Sequence, residues 1–148
     1  MKSLSCSFFV IVLFVFHTTC TLALAEPAGM IKTVFGQVSI TNGQTTKTAI
    51  PNMRFEQGDC IKTGKNSSVG LLFEDDTVVS LGANAELVVV HFLFNPLDKQ
   101  LSFVARMVKG TFSLITGQIA KLAPKNVKLQ TPNATLGVRG TKILVKIE

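Results

Sequence analysis

The sequence predicts an all-β domain built from short antiparallel strands, and three observations carry that prediction. Turn residues recur at short intervals: Asn42-Gly43, Gln57-Gly58-Asp59, Thr63-Gly64-Lys65-Asn66, Glu74-Asp75-Asp76, Gly82-Ala83-Asn84, Asn95-Pro96, Lys109-Gly110, Thr116-Gly117 and Pro124-Lys125-Asn126. Between them lie short runs rich in Val, Ile, Leu, Phe and Thr, the composition that suits a pleated, half-buried surface. No stretch keeps a helical period for three turns.

In chain order, residues 1–25 stand apart. Lys2 gives a short positive start, FFVIVLFVF (8–16) is an unbroken apolar run, and Ala23-Leu24-Ala25 ends the segment before Glu26-Pro27. That is the pattern of a secretory signal peptide with a small-residue cleavage site. The apolar run is shorter than the roughly 20 residues that span a bilayer. The expected mature chain, residues 26–148, is one domain, and it keeps no membrane span once the leader is removed. EPAG (26–29) reads as a short loose start. VSI and TKTAI flank Asn42-Gly43, a strong hairpin signal. SVGLLF (68–73), TVVSL (77–81), ELVVVHFLF (86–94), LSFVARMV (101–108), TFSLI (111–115) and KILVKI (142–147) are the further strand candidates. In KILVKI, Ile143, Val145 and Ile147 share one face and Lys142, Leu144 and Lys146 the other. QIAKLAP (118–124) is the best helix candidate, closed by Pro124. VFGQVSI (34–40) and VKGTFSL (108–114) share the pattern V-x-G-x-apolar-Ser-apolar. Two copies are too few for a repeat array, but they suggest similar β-turn-β units near both ends of the domain.

Few residue types remain for chemistry. The formal charge is +6, or +5 without Lys2, and no run of Lys or Arg concentrates it. With no basic stripe and no interleaved stacking aromatics, nucleic acid is not an expected partner. Cys6 and Cys20 fall in the leader, so Cys60 is alone in the mature chain and no internal disulfide can form. Its place before Ile61 in GDCIKTG points to burial. His91, inside VVVHFLF, reads as packed or at a sheet edge. One His and one distant Cys give no zinc-ligand spacing. Asp75-Asp76 reads as a turn between strands, where Asp accepts backbone hydrogen bonds. Asn66-Ser67-Ser68 and Asn133-Ala134-Thr135 fit a glycosylation sequon, a pattern too common to carry weight. No catalytic, cofactor or metal residue is assigned.

Four stretches carry a resemblance to the FecR domain family. They are VFGQV, FEQGDCIKTGKNSSVGLLFEDDTVVSLGANAEL, VKGTFSLITG and the closing TPNATLGVRGTKILV. The second is similar to the family's G-D-x-I-x-T-G pattern followed by an acidic turn and L-G. The last is similar to its T-P-x-A-x-x-G-V-R-G-T signature. The matching positions are Gly58, Asp59, Thr63, Gly64, Asp75, Asp76, Thr131, Pro132, Gly137, Val138, Arg139, Gly140 and Thr141. Asp76 stands where the family commonly has Gly, which bears on that turn's geometry. Ile143 stands where an aromatic is common.

The resemblance implies an exported all-β domain without catalytic residues. Its strands are read as wound in a β-roll or solenoid-like arrangement, with a β-sandwich as the alternative. In the family's founding regulators the domain follows an anti-sigma segment and a membrane helix. This sequence carries neither, so sigma-factor control is not carried over. The expectation is a periplasmic or secreted, non-enzymatic interaction module of the bacterial envelope that binds a protein partner in signalling or as an adaptor. Envelope-glycan binding and self-assembly are the alternatives, the former weakened by the lack of Trp and Tyr. Arg139, between Gly137 and Gly140, presents a five-donor fork. It is expected to lie inward or along a sheet edge and to pair with Asp59 or Asp76. A partner-facing Arg139 and an exposed turn are the other readings.

Overall fold

A computed structural model describes residues 26–140 and 142–148. The expected leader and Thr141 lie outside the described residues. The described chain is all-β: β1 (Pro27–Phe35), β2 (Val38–Asn42), β3 (Thr45–Thr48), β4 (Arg54–Glu56), β5 (Cys60–Thr63), β6 (Ser68–Phe73), β7 (Val78–Leu81), β8 (Glu86–Asn95), β9 (Gln100–Ile115), β10 (Val127–Gln130), β11 (Thr135–Gly137) and β12 (Lys142–Ile147). A short helix α1 (Gln118–Leu122) and a 3-10 turn (Pro124–Asn126) follow β9, where QIAKLAP predicts helix.

Two sheets share β9. Sheet A runs β4-β1-β6-β7-β9-β12. Sheet B runs β3-β2-β5-β8-β9-β10-β11. Through β9 they form one continuous twelve-stranded sheet, which curls so that its two inner faces meet. All pairings are antiparallel except β9–β10. The chain passes repeatedly from one sheet to the other, so the expected winding is present. The two facing sheets also give it the layered core of the sandwich alternative.

β9 is the sharpest departure from the sequence reading. Lys109-Gly110 does not separate two strands but bends one strand of sixteen residues. Its first half pairs with β8 and β10, and its second half with β7 and β12. Gly110 sits at the bend with φ +102°, a conformation open to Gly at little steric cost. A Cβ there would lie 2.5 Å from Cα and Cβ of Ala85. The echo between VFGQVSI and VKGTFSL has the same cause. Gly36 (φ +73°) carries the chain from β1 in sheet A to β2 in sheet B, and Gly110 carries it from B to A.

Alternation fills the core. Leu101, Phe103, Ala105 and Met107 of β9 point inward with Leu87 and Val89 of β8. Phe73 of β6 joins the sheets, its ring edge-on to Phe103 at 4.9 Å and to Phe55 at 5.0 Å. Such aromatic pairs contribute about 0.5–1.5 kcal/mol beyond burial. In β12, Ile143, Val145 and Ile147 pack against the core while Lys142, Leu144 and Lys146 stay exposed, as the alternation predicts. The β2–β3 hairpin forms at the Asn-Gly signal, with Gly43 (φ +56°) first of its two loop residues. EPAG is not a loose start: β1 begins at Pro27, Ala28 is buried, and Gly29 stands against the backbone of Leu72 and Phe73.

The bend gives a direct test. Gly110→Ala adds both positive-φ strain and a clash with Ala85, and should lower stability by about 2–4 kcal/mol. Gly43→Ala also has positive φ but meets open space, and should cost only about 1–2 kcal/mol. Urea denaturation of both variants checks this; equal losses would show that the Ala85 contact does not constrain the bend.

Candidate functional site

The motif residues divide into a buried framework and an exposed rim. Asp75 is the deepest polar group in that framework, fully buried between β6 and β7. One of its carboxylate oxygens accepts the Thr77 N–H at 3.1 Å. The other accepts the Thr77 hydroxyl at 2.8 Å and the Ile119 N–H at 3.2 Å. Its carbonyl accepts the Gln118 N–H, and Gly117 donates its N–H to the Thr77 hydroxyl. Gly117 is needed because a Cβ there would overlap the backbone of Asp75 to Thr77. This knot ties the β6–β7 turn to the chain leaving β9. The sequence reading of Asp75 as a turn acceptor holds. Asp76 has a left-handed backbone, φ +66°, and accepts a hydrogen bond from the Gln118 amide.

Gly58 and Asp59 build a second framework turn. Gly58 (φ +92°) donates its N–H to the Val89 carbonyl at 2.7 Å, and the Asp59 carbonyl accepts the Val89 N–H. The Asp59 carboxylate accepts from the Asn42 amide and the Glu56 N–H. Thr63 and Gly64 form a third. The buried Thr63 hydroxyl donates to the Gly82 carbonyl and accepts the Ala85 N–H, and Gly64 is bonded to Gln37 and Asn84. Thr131 closes the β10–β11 hairpin through its backbone and hydroxyl to Ala134, with Pro132 exposed in the turn.

Arg139 does not pair with Asp59 or Asp76, whose carboxylates are held by the donors just named. The ion pairs among the described residues are Lys62–Glu86 and Lys146–Glu148. Val138 is buried and anchors the loop, whereas Arg139 is exposed. The reason is the hairpin geometry: Val138 takes the inward position of the alternation, and its neighbour must point out. With Lys125, Lys128, Pro124, Thr135, Gly137 and Val138, Arg139 lines an open groove of about 410 Å3. Among the described residues no acidic side chain lines it. The framework therefore gathers Gly58, Asp59, Thr63, Gly64, Asp75 and Asp76 into turns, and sets Gly137, Val138 and Arg139 on a cationic rim. Gly140 follows the rim, its carbonyl accepting the Thr116 hydroxyl.

That rim belongs to a larger asymmetry. From Lys99 to Ile147 the chain has cations at 99, 106, 109, 121, 125, 128, 139, 142 and 146, and no acid at all. Glu86 is the sole acid in the strands of sheet B, and Lys62 holds it at 3.3 Å. A search for clustered Lys and Arg misses this, because the cations are spaced; the signal is the missing acids.

The two reactive side chains lie elsewhere. Cys60 is half-buried rather than enclosed, its Sγ 3.5 Å from the Glu86 carboxylate. Burial, together with that carboxylate, pushes the thiol up to about 11. His91 is exposed at a β-bulge of β8 rather than packed, and its Nδ1 meets the Gln57 side chain at 2.8 Å. No helix among the described residues is long and apolar enough to cross a membrane.

A curled all-β sheet whose motif residues form its turns defines a β-framework domain. The family model described as "FecR protein" matches residues 59–148. The chain belongs to the FecR family, a family of non-enzymatic signalling regulators. The matched residues begin at β5, and β1 and β2 pair directly with them through β6 and β5. No curated protein and no solved structure gave a significant match.

Two outcomes follow. In urea denaturation, Asp75→Ala should lose about 3–5 kcal/mol by stranding three buried donors, while Arg139→Ala should stay within about 0.5 kcal/mol of the parent. A raised thiol pKa leaves less thiolate at a given pH, so at pH 8 Cys60 should alkylate roughly 100-fold more slowly than an open cysteine. Its rate should keep rising with pH to about 11, and Glu86→Gln should speed it; iodoacetamide kinetics followed by mass spectrometry measure both.

Proposed function

We propose that this chain is an exported, non-enzymatic interaction module of the bacterial envelope, released by cleavage after Ala25 and acting in signalling or as an adaptor. Its partner is a protein. The observation that carries this reading is the open rim of the sheet. Among the described residues β11 pairs only with β10, and β12 only with β9. Leu144 on β12 is 72% exposed and Leu136 on β11 is 39% exposed. Unpaired strand edges with apolar side chains are ready templates for another chain, and soluble proteins usually blunt them. Membership of a signalling family supports the same reading.

The test is crosslinking of the tagged protein in its native cells, then affinity purification and mass spectrometry. One dominant envelope protein is the expected result. Recovery of the bait alone would overturn the reading.

A further inference from the structure

The groove and the strand edge beside it are one continuous surface. In an antiparallel ladder, directly opposed residues alternate between bonded and non-bonded pairs. Thr131 donates to the Ala134 carbonyl at one end of the β10–β11 hairpin, and Val138 donates to the Val127 carbonyl at the other. Leu129–Leu136 is therefore the bonded pair between them, in the register Lys128–Gly137, Leu129–Leu136, Gln130–Thr135. Thr135 and Gly137 then turn their backbone N–H and C=O away from β10. They face an edge at which no further strand pairs among the described residues.

The side chains along that edge are sorted by face. Leu129 is buried and its cross-strand neighbour Leu136 lies on the same side. Lys128 is exposed on the opposite side, level with Gly137, where Lys125 and Arg139 line the same groove. On β9, Arg106 continues this outer face, its guanidinium donating to Gln130 of β10. A strand laid along β11 would thus set alternate side chains toward a cationic groove and the others beside an apolar rim.

We propose that β11 and this groove dock an extended acidic segment of a protein partner. The segment adds to sheet B as a strand, with carboxylates toward Lys125, Lys128 and Arg139 and apolar residues beside Leu136. Charge complementarity selects the occupant: three cations without a lining acid favour carboxylates, and Arg139 can bind one bidentately. The open backbone at Thr135 and Gly137 favours an extended peptide over a compact anion. The space beside Gly137 is open, since a Cβ built there meets nothing within 4 Å. The inference rests on the reading of the chain as a protein-binding module.

The probe is a fluorescein-labelled (Glu-Val)4 peptide, titrated by anisotropy with purified protein expressed from the full-length chain. Saturable binding that weakens with salt is expected, with none for (Lys-Val)4. Lys128→Glu with Arg139→Glu, both at exposed positions, should weaken binding at least 10-fold without lowering Tm. Gly137→Pro, which removes one edge donor, should do the same. Should that variant misfold, peptides N-methylated on the Glu set or on the Val set replace it, and at least one must lose binding. Unchanged affinity in the charge-reversed protein overturns the proposal, as does tolerance of both N-methylated peptides. So does capture of heparin or phosphatidylglycerol vesicles by the groove without binding of the peptide. The double variant is also crosslinked in cells: a partner that it retains would refute this docking site while leaving the interaction module intact.

Discussion

The fold depends on one strand changing sheets. β9 carries hydrogen bonds to four other strands, two on each side of its bend. Without the turn at Gly110 its sixteen residues would run straight, and sheets A and B could not close on a shared core. A straight strand would leave Phe73 and Phe103 without each other. Only glycine combines the positive φ with the close approach to Ala85. The neighbouring turns serve the same bend. Thr63 ties Gly82 and Ala85, and Gly82 donates to the carbonyl of Thr111, the residue after Gly110.

The acids and cations of this chain have been put to different uses. Asp59 and Asp75 are buried and fully bonded to turn donors. A buried carboxylate that accepts several N–H groups fixes a turn more firmly than a neutral acceptor. Glu86, Asp76, Asp98 and Glu148 are each held by a neighbouring side chain. Among the cations of the second half, Lys146 meets Glu148 and Arg106 donates to Gln130, while Lys125, Lys128 and Arg139 are in no ion pair among the described residues. Lys125, Lys128 and Arg139 come together at one groove. Charges within about 10 Å act together on an approaching anion at ordinary ionic strength. A modest net charge therefore conceals one locally cationic groove.

Much of the fold was legible in the residues. Gly-Asp, Thr-Gly and Asp-Asp marked turns because their backbone needs are local: a positive φ or an acceptor one or two residues away. KILVKI announced its faces because strand alternation is local too. The site was less legible. The mildly basic charge of the chain was read from composition, and the spaced cations left no run to notice. Arg139 shares its motifs with Asp59 and Asp76, but motif membership does not imply contact, and both carboxylates take other donors.

The sequence by itself determined the all-β class, most strand positions, the hairpin at Gly43 and the turn role of Asp75. Each rests on interactions between residues close in the chain. Only the tertiary structure decided that residues 100–115 are one bent strand, that Pro27–Phe35 is a full strand rather than a loose start, and that Arg139 faces solvent beside Lys125 and Lys128. Those outcomes depend on partners distant in sequence: β1 is held by β6, β9 by β7, β10 and β12, and Arg139 is turned outward because Val138 is drawn into the core. Which side of a strand is buried follows from what packs against it, and that is settled only when the sheet closes.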